Sequence, residues 1–159
     1  MSTDLTESRV DLTIQQVARR TGLAESALRY YERIGLIDPV PRDDSSGHRR
    51  YPPDLVAAVE ALACLRGSGM SVTDMRAYVA NMRRGAAAAA DQHRLFAGQA
   101  GRLRREVERL QVRARYVEAK AELWAARERD DAAAEQRLVP VLTELADALL
   151  ADERGTVHE

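Results

Sequence analysis

The sequence predicts a mainly α-helical chain, with a winged helix-turn-helix head followed by a long helix of coiled-coil type. Three observations carry this expectation. Two short amphipathic stretches are joined by Thr21-Gly22, and the second, Leu28-Arg29-Tyr30-Tyr31-Glu32-Arg33-Ile34-Gly35-Leu36, places basic and aromatic residues side by side before a closing glycine. About fifteen residues on, Gly47-His48-Arg49-Arg50-Tyr51 repeats that chemistry in a turn-rich segment. Further along, Phe96, Ala100, Leu103, Val107, Leu110, Ala114, Val117, Ala121 and Trp124 follow one another at alternating steps of four and three, the spacing of a coiled-coil seam.

The elements follow in order. Residues 1–11 are polar and read as a tail. Ile14, Val17, Ala18 and Leu23 form the apolar stripe of a first helix, and Leu28, Tyr31 and Ile34 that of the second. Pro39, Pro41 and Asp43-Asp44-Ser45-Ser46-Gly47 mark a turn between short extended pieces, as a wing requires. Pro52-Pro53-Asp54 opens a third helix, with Leu55, Val59, Leu62 and Ala63 on one side, and Gly67-Ser68-Gly69 ends it. Ser71 caps a fourth helix with Asp74 three residues later, and Val72, Met75, Tyr78, Val79 and Met82 are its expected inward residues. The head thus spans 12–82. The alanines from 86 to 90 continue a helix well, so the seam helix is placed at 86–127. The acidic tail, 128–159, ends in a short amphipathic helix of Leu138, Val141, Leu142, Leu145, Ala146 and Leu149, with Pro140 in its first turn.

Helix and wing offer side chains suited to the phosphates and base edges of double-stranded DNA, which is the expected partner. A guanidinium on a recognition helix clamps a phosphate or forks onto guanine O6 and N7. Arg29 is the strongest candidate, and its alternative role is an intrahelical pair with Glu25 or Glu32. By periodicity Tyr31 shares the inward face of Leu28, while Tyr30 lies on the side of Arg29. The expected DNA-facing set is Thr13, Ser26, Arg29, Tyr30, Arg33, Arg42, His48, Arg49, Arg50 and Tyr51. The alternative for His48, and the better reading of it, is a merely solvated side chain, and Tyr51 reads equally as packed beneath the wing. A lone helix cannot bury the seam, so a partner is required, and a second copy is the simplest one.

The net charge of -1 hides a segregation along the chain. Residues 76–115 hold ten arginines against Asp91, Glu106 and Glu108, whereas acids outnumber bases three to one from Glu128 onward. Local charge rather than the total governs attraction to phosphates. The single cysteine, Cys64, excludes an internal disulfide and a multi-thiolate metal cage within one chain. His48, His93 and His158 are scattered and no phosphate-binding glycine loop occurs, so no enzyme, cofactor or metal site is expected. No apolar run has the length of a membrane span and no signal-peptide pattern opens the chain, which points to a cytoplasmic protein. A coiled-coil adaptor would explain the seam but not the Arg-Tyr helix and wing.

Together these residues resemble the MerR family of transcription regulators, whose signature is a T-G-φ-S-x-x-T-L-R-Y-Y-E-x-x-G-L string followed by a G-x-R-x-Y wing. The resemblance covers roughly residues 12–81. Ala24 and Ala27 stand where the family often has Ser and Thr, and the missing hydroxyl at 24 removes about 1 kcal/mol of helix N-capping. The resemblance implies a winged helix-turn-helix DNA-binding domain followed by a long antiparallel coiled-coil dimerisation helix. It also implies a homodimer on promoter DNA that bends and untwists the spacer for RNA polymerase. The segment from Glu60 to Ser71 is similar to the branch that includes AdhR and NmlR, in which a cysteine at the place of Cys64 is the proposed sensor of aldehydes and other electrophiles. The alternative role of Cys64 is a small buried hydrophobe between Leu62 and Leu65. A multi-thiolate metal sensor needs more cysteines, and a drug sensor a larger C-terminal part, than this chain holds.

Overall fold

The computed structural model describes residues 11–156, so nearly all of the expected N-terminal tail lies outside the described residues. Six α-helices follow in order: α1 (Ile14–Thr21), α2 (Glu25–Arg33), α3 (Pro53–Gly67), α4 (Val72–Arg84), α5 (Ala89–Glu128) and α6 (Ala132–Thr156). The chain divides into two compact units, Met1–Gln99 and Ala100–Glu159.

In the first unit, Val17 of α1, Leu28 and Tyr31 of α2, Val59 and Leu62 of α3 and Met75 of α4 meet in one core. Helix α1 begins with a capping box, in which the Gln16 N–H donates to Thr13 Oγ1 at 3.3 Å and the Thr13 N–H donates to Gln16 Oε1 at 2.8 Å. Helix α2 begins at Ala24 with no side-chain cap, as the missing hydroxyl there predicts. It ends at Gly35, whose φ of 71° lets the Leu36 N–H reach back to the Tyr31 carbonyl at 2.9 Å and bury Leu36. Proline at the start of α3 lacks an N–H that would be unpaired there in any case. At Gly69 two demands coincide: its φ is 80°, and a Cβ would lie 3.3 Å from Nε2 of the buried Gln99.

The wing is a loop closed by two isolated antiparallel bridges, Leu12 with Tyr51 and Arg42 with Arg49. Asp43 shapes its tip by accepting from the backbone N–H and hydroxyl groups of Ser45 and Ser46. Those bonds, the Ser45 hydroxyl foremost, hold its carboxyl well below the usual carboxylate range.

Three expectations are corrected. Met82 is 60 % exposed rather than inward. The alanine run does not simply continue a helix: Gly85, at φ 65°, ends α4 and residues Gly85–Ala88 form a 3-10 turn before α5 begins. The C-terminal helix starts at Ala132, not near Leu138, because the Asp131 side chain caps it by accepting from the Ala134 N–H at 2.9 Å. Pro140 therefore sits inside α6, where it removes the hydrogen bond to the Gln136 carbonyl on an exposed face.

In the second unit, α5 and α6 form a hairpin. Asp130 adopts φ 55° at the turn, with the Asp131 N–H on the Ala126 carbonyl at 2.9 Å and the Asp130 N–H on that of Arg127 at 3.1 Å, a Schellman closure. Ala119 and Leu123 of α5 pack on Leu142 and Leu145 of α6, with Val112, Tyr116 and Leu138 around them. Arg127 with Glu135 at 2.6 Å and Arg109 with Asp152 at 3.0 Å pin the two ends. The seam is a different stripe of α5. Leu103, Val107, Leu110, Val117 and Trp124 remain 38–65 % exposed.

Candidate nucleic-acid interface

The inward face of α2 is occupied by Leu28 and Tyr31, which leaves Ser26, Arg29, Tyr30 and Arg33 outward. The Arg33 guanidinium lies 5.3 Å from the centroid of the Tyr30 ring, a cation–π contact that orders both side chains on this face. Ser26 and Tyr30 line one depression together with Arg66 and Ser71. Arg29 lines a second, a cleft of about 300 Å³ that also gathers Thr13, Arg42, His48, Arg49 and Arg50. The fold thus brings α2, the start of α1 and the wing onto one basic surface, although their residues lie up to 37 positions apart.

Each wing or helix arginine has a partner of its own. Arg29 pairs with Glu25 at 3.0 Å, the intrahelical alternative foreseen for it, and both side chains are exposed. Such exposed pairs contribute about 0–1 kcal/mol, so an incoming phosphate can displace the carboxylate. Arg42 donates to the Gly47 carbonyl at 3.0 Å, and Arg50 lies 3.9 Å from Asp43. Arg49 differs: its Nε donates to Glu32 Oε2 at 2.8 Å, and its side chain is only 25 % exposed.

For two residues the structure bears on alternatives that the sequence leaves open. Tyr51 is fully buried, and its hydroxyl has no hydrogen-bond partner. It packs beneath the wing and offers nothing to DNA at the surface; burial first, then the negative charge of Glu32, raises its pKa. Cys64 is exposed, so the reading of it as a buried hydrophobe does not hold. Thr13 stands at the cleft but already caps α1. His48 is exposed at the wing tip.

Glu32 is the residue that the sequence reading left without a role in the site. Its second oxygen accepts from the Val40 N–H at 3.1 Å. Burial alone would raise its pKa, but the Arg49 hydrogen bond, the Val40 N–H and the charges of Arg49 and Arg42 outweigh that and hold it below the ordinary value. One signal was available: a carboxylate among the basic and aromatic residues of a DNA-facing helix would repel phosphate unless it were neutralised internally.

The family model described as "MerR HTH family regulatory protein" matches residues 12–82. The chain is 43 % identical over 67 residues to the HTH-type transcriptional regulator AdhR of Bacillus subtilis, covering 42 % of this chain and 47 % of that protein. It is 39 % identical over 71 residues to a SoxR homolog, an HTH-type transcriptional activator of Chromobacterium violaceum, covering 45 % of this chain and 47 % of that one. The chain therefore spans about half the length of the curated relatives it matches. Among solved structures, a MerR family transcriptional regulator from Listeria monocytogenes superimposes with a TM-score of 0.62 at 24 % identity, over 89 % of this chain and 98 % of that one. HiNmlR, a MerR family regulator lacking the sensor domain and bound to promoter DNA, does so with a TM-score of 0.59 at 24 % identity, over 74 % and 94 %. These two likenesses establish the fold. By sequence and fold together, residues 12–82 of this chain are a domain of the MerR helix-turn-helix family.

Proposed function

We propose that the chain is a transcription regulator that binds promoter DNA as a homodimer and distorts it, with no catalytic chemistry of its own. The observation that carries this reading is the single basic surface on which Arg29, Arg42, His48 and Arg50 converge beside the outward Tyr30 and Arg33. Each α2 enters a major groove, and the wing rests on flanking backbone. Bending and untwisting of the spacer make deformable base steps matter beside direct contacts, and RNA polymerase at that promoter is the further partner. The place of action is the cytoplasm; no helix among the described residues is long and apolar enough to cross a membrane.

Two features support a homodimer through α5. The seam from Phe96 to Trp124 is not used by the α5–α6 packing. Residues 89–115 carry seven arginines against three acids, while 116–128 carry three acids against Lys120 and Arg127. A parallel pair would set the basic halves side by side, and an antiparallel pair separates them.

The test is DNA selection from a random-sequence pool followed by Arg29→Ala. The variant is expected to bind the selected duplex about 1–3 kcal/mol more weakly and to lose preference at one base pair per half-site. Unchanged affinity and preference would overturn the recognition-helix reading.

We further propose that Cys64 senses electrophiles, a reading favoured by its exposure on α3. The thiolate is the attacking species, and its adduct adds bulk and polarity beside the head's core. Cys64→Ser is expected to bind DNA normally while target transcription no longer changes after aldehyde exposure. Equal responses from wild type and variant would remove the sensor role.

A further inference from the structure

We infer that Glu32 and Arg49 are positioning residues that fix the wing on the recognition helix, and that Arg49 does this instead of contacting phosphate. This inference rests on the DNA-binding reading. Glu32 lies in the last turn of α2, and its two carboxylate oxygens go to different parts of the chain. Oε1 accepts from the Val40 N–H at 3.1 Å and Oε2 from Arg49 Nε at 2.8 Å. One side chain thereby ties the helix both to the segment that leaves it and to the returning arm of the wing.

The two arms of the wing are themselves joined. The Asp43 N–H donates to the His48 carbonyl at 2.9 Å, and the Arg50 N–H to that of Pro41 at 2.8 Å. Beyond Arg49, Tyr51 is fully buried and exchanges both backbone hydrogen bonds with Leu12. The arm is thus anchored at its base by Tyr51 and held against α2 by Arg49. The Arg49 side chain is 25 % exposed and its Glu32 partner 20 %, against 53 % for Arg29 and 37 % for Arg50. A half-buried, charge-assisted pair is harder to exchange for a phosphate than the exposed Arg29–Glu25 pair, because releasing Arg49 leaves Glu32 facing a polyanion. What the clamp supplies is geometry. It sets the offset between the outward face of α2 and the wing cations Arg42 and Arg50, and so whether groove and backbone are met at once.

The inference is tested on the full chain with a 40-base-pair duplex selected by the wild-type protein. Affinity is measured against salt for Arg49→Met, Glu32→Gln, their combination and the charge swap Glu32→Arg with Arg49→Glu, and thermal melting confirms that each is folded. Arg49→Met and Glu32→Gln are each expected to weaken binding about tenfold, as loss of one charged hydrogen bond does. The combination should be no weaker than either alone, the swap should recover only the part carried by the ion pair, because an arginine at 32 cannot accept from the Val40 N–H, and the salt slope should stay that of the wild type. If Arg49 is a phosphate contact, Arg49→Met alone flattens the slope by about 0.9, its loss adds to that of Glu32→Gln, and the swap binds worst; that pattern overturns the inference. A wild-type protein that selects no duplex would instead overturn the DNA-binding reading itself. Arg50→Met serves as the control for a wing phosphate contact, and its slope is expected to fall by about 0.9.

Discussion

Leu110→Glu is expected to convert the protein to a monomer and to reduce its affinity for the selected duplex by more than about a hundredfold, the scale at which linking two half-site contacts acts. Leu110 lies midway along the seam and is 52 % exposed within one chain. Val107 and Val117 on either side are exposed to 52 % and 65 %, and Trp124 to 63 %. An exposed apolar row of this kind is the mark of an interaction face. Because α6 packs on the Val112, Tyr116, Ala119, Leu123 stripe, it leaves the seam uncovered within one chain. A glutamate at 110 costs the single chain nothing in packing, so helix content and the melting of the α5–α6 hairpin should be unchanged. Between two copies it buries a carboxylate with no counter-charge, at a cost of several kcal/mol. Sedimentation velocity reads the outcome directly. A variant that stays dimeric with full affinity would place the interface elsewhere.

What could be read from the sequence depended on how local its cause was. The seam was legible because its spacing is a property of one helix. The second stripe of α5, Val112, Tyr116, Ala119, Leu123 and Ala126, has the same four-three spacing but contains a tyrosine and two alanines, and the more apolar seam masked it. Its counterpart on α6 is legible from Leu138 onward, but the helix begins six residues earlier, and Pro140 lies inside it rather than in its first turn because Asp131 supplies the cap. On α2, periodicity separates the exposed Tyr30 from the buried Tyr31 correctly, since burial on a short amphipathic helix follows its face. It could not separate Arg49 from Arg50. Which wing arginine turns toward α2 depends on a contact 17 residues away, which arises only once the wing has folded back. Tyr51 left the DNA set for the same reason, because the bridge to Leu12 draws it under the wing.

Leu28→Ala and Arg29→Ala, adjacent on α2, are expected to fail in opposite ways. Leu28 is fully buried at the centre of the head's core. Removing its outer carbons loses their transfer energy and leaves a cavity, together about 2–5 kcal/mol. Against a domain stability on the order of 5–15 kcal/mol, this is a large share, and at about 4–8 °C per kcal/mol the head should melt at least about 8 °C lower. Helix α2 is especially exposed to such a loss. It has nine residues, too few to persist without packing, and Ala24 gives it no side-chain cap. Ala24→Ser should therefore return about 1 kcal/mol to the Leu28→Ala variant, which separates loss of helix seating from loss of core volume. Arg29 contributes an exposed pair with Glu25, so Arg29→Ala should melt within about 1 kcal/mol of wild type while binding DNA poorly. Differential scanning calorimetry beside equilibrium binding distinguishes the two. If Arg29→Ala melts as low as Leu28→Ala, its guanidinium holds the fold together, and the outward face of α2 has to be reassigned.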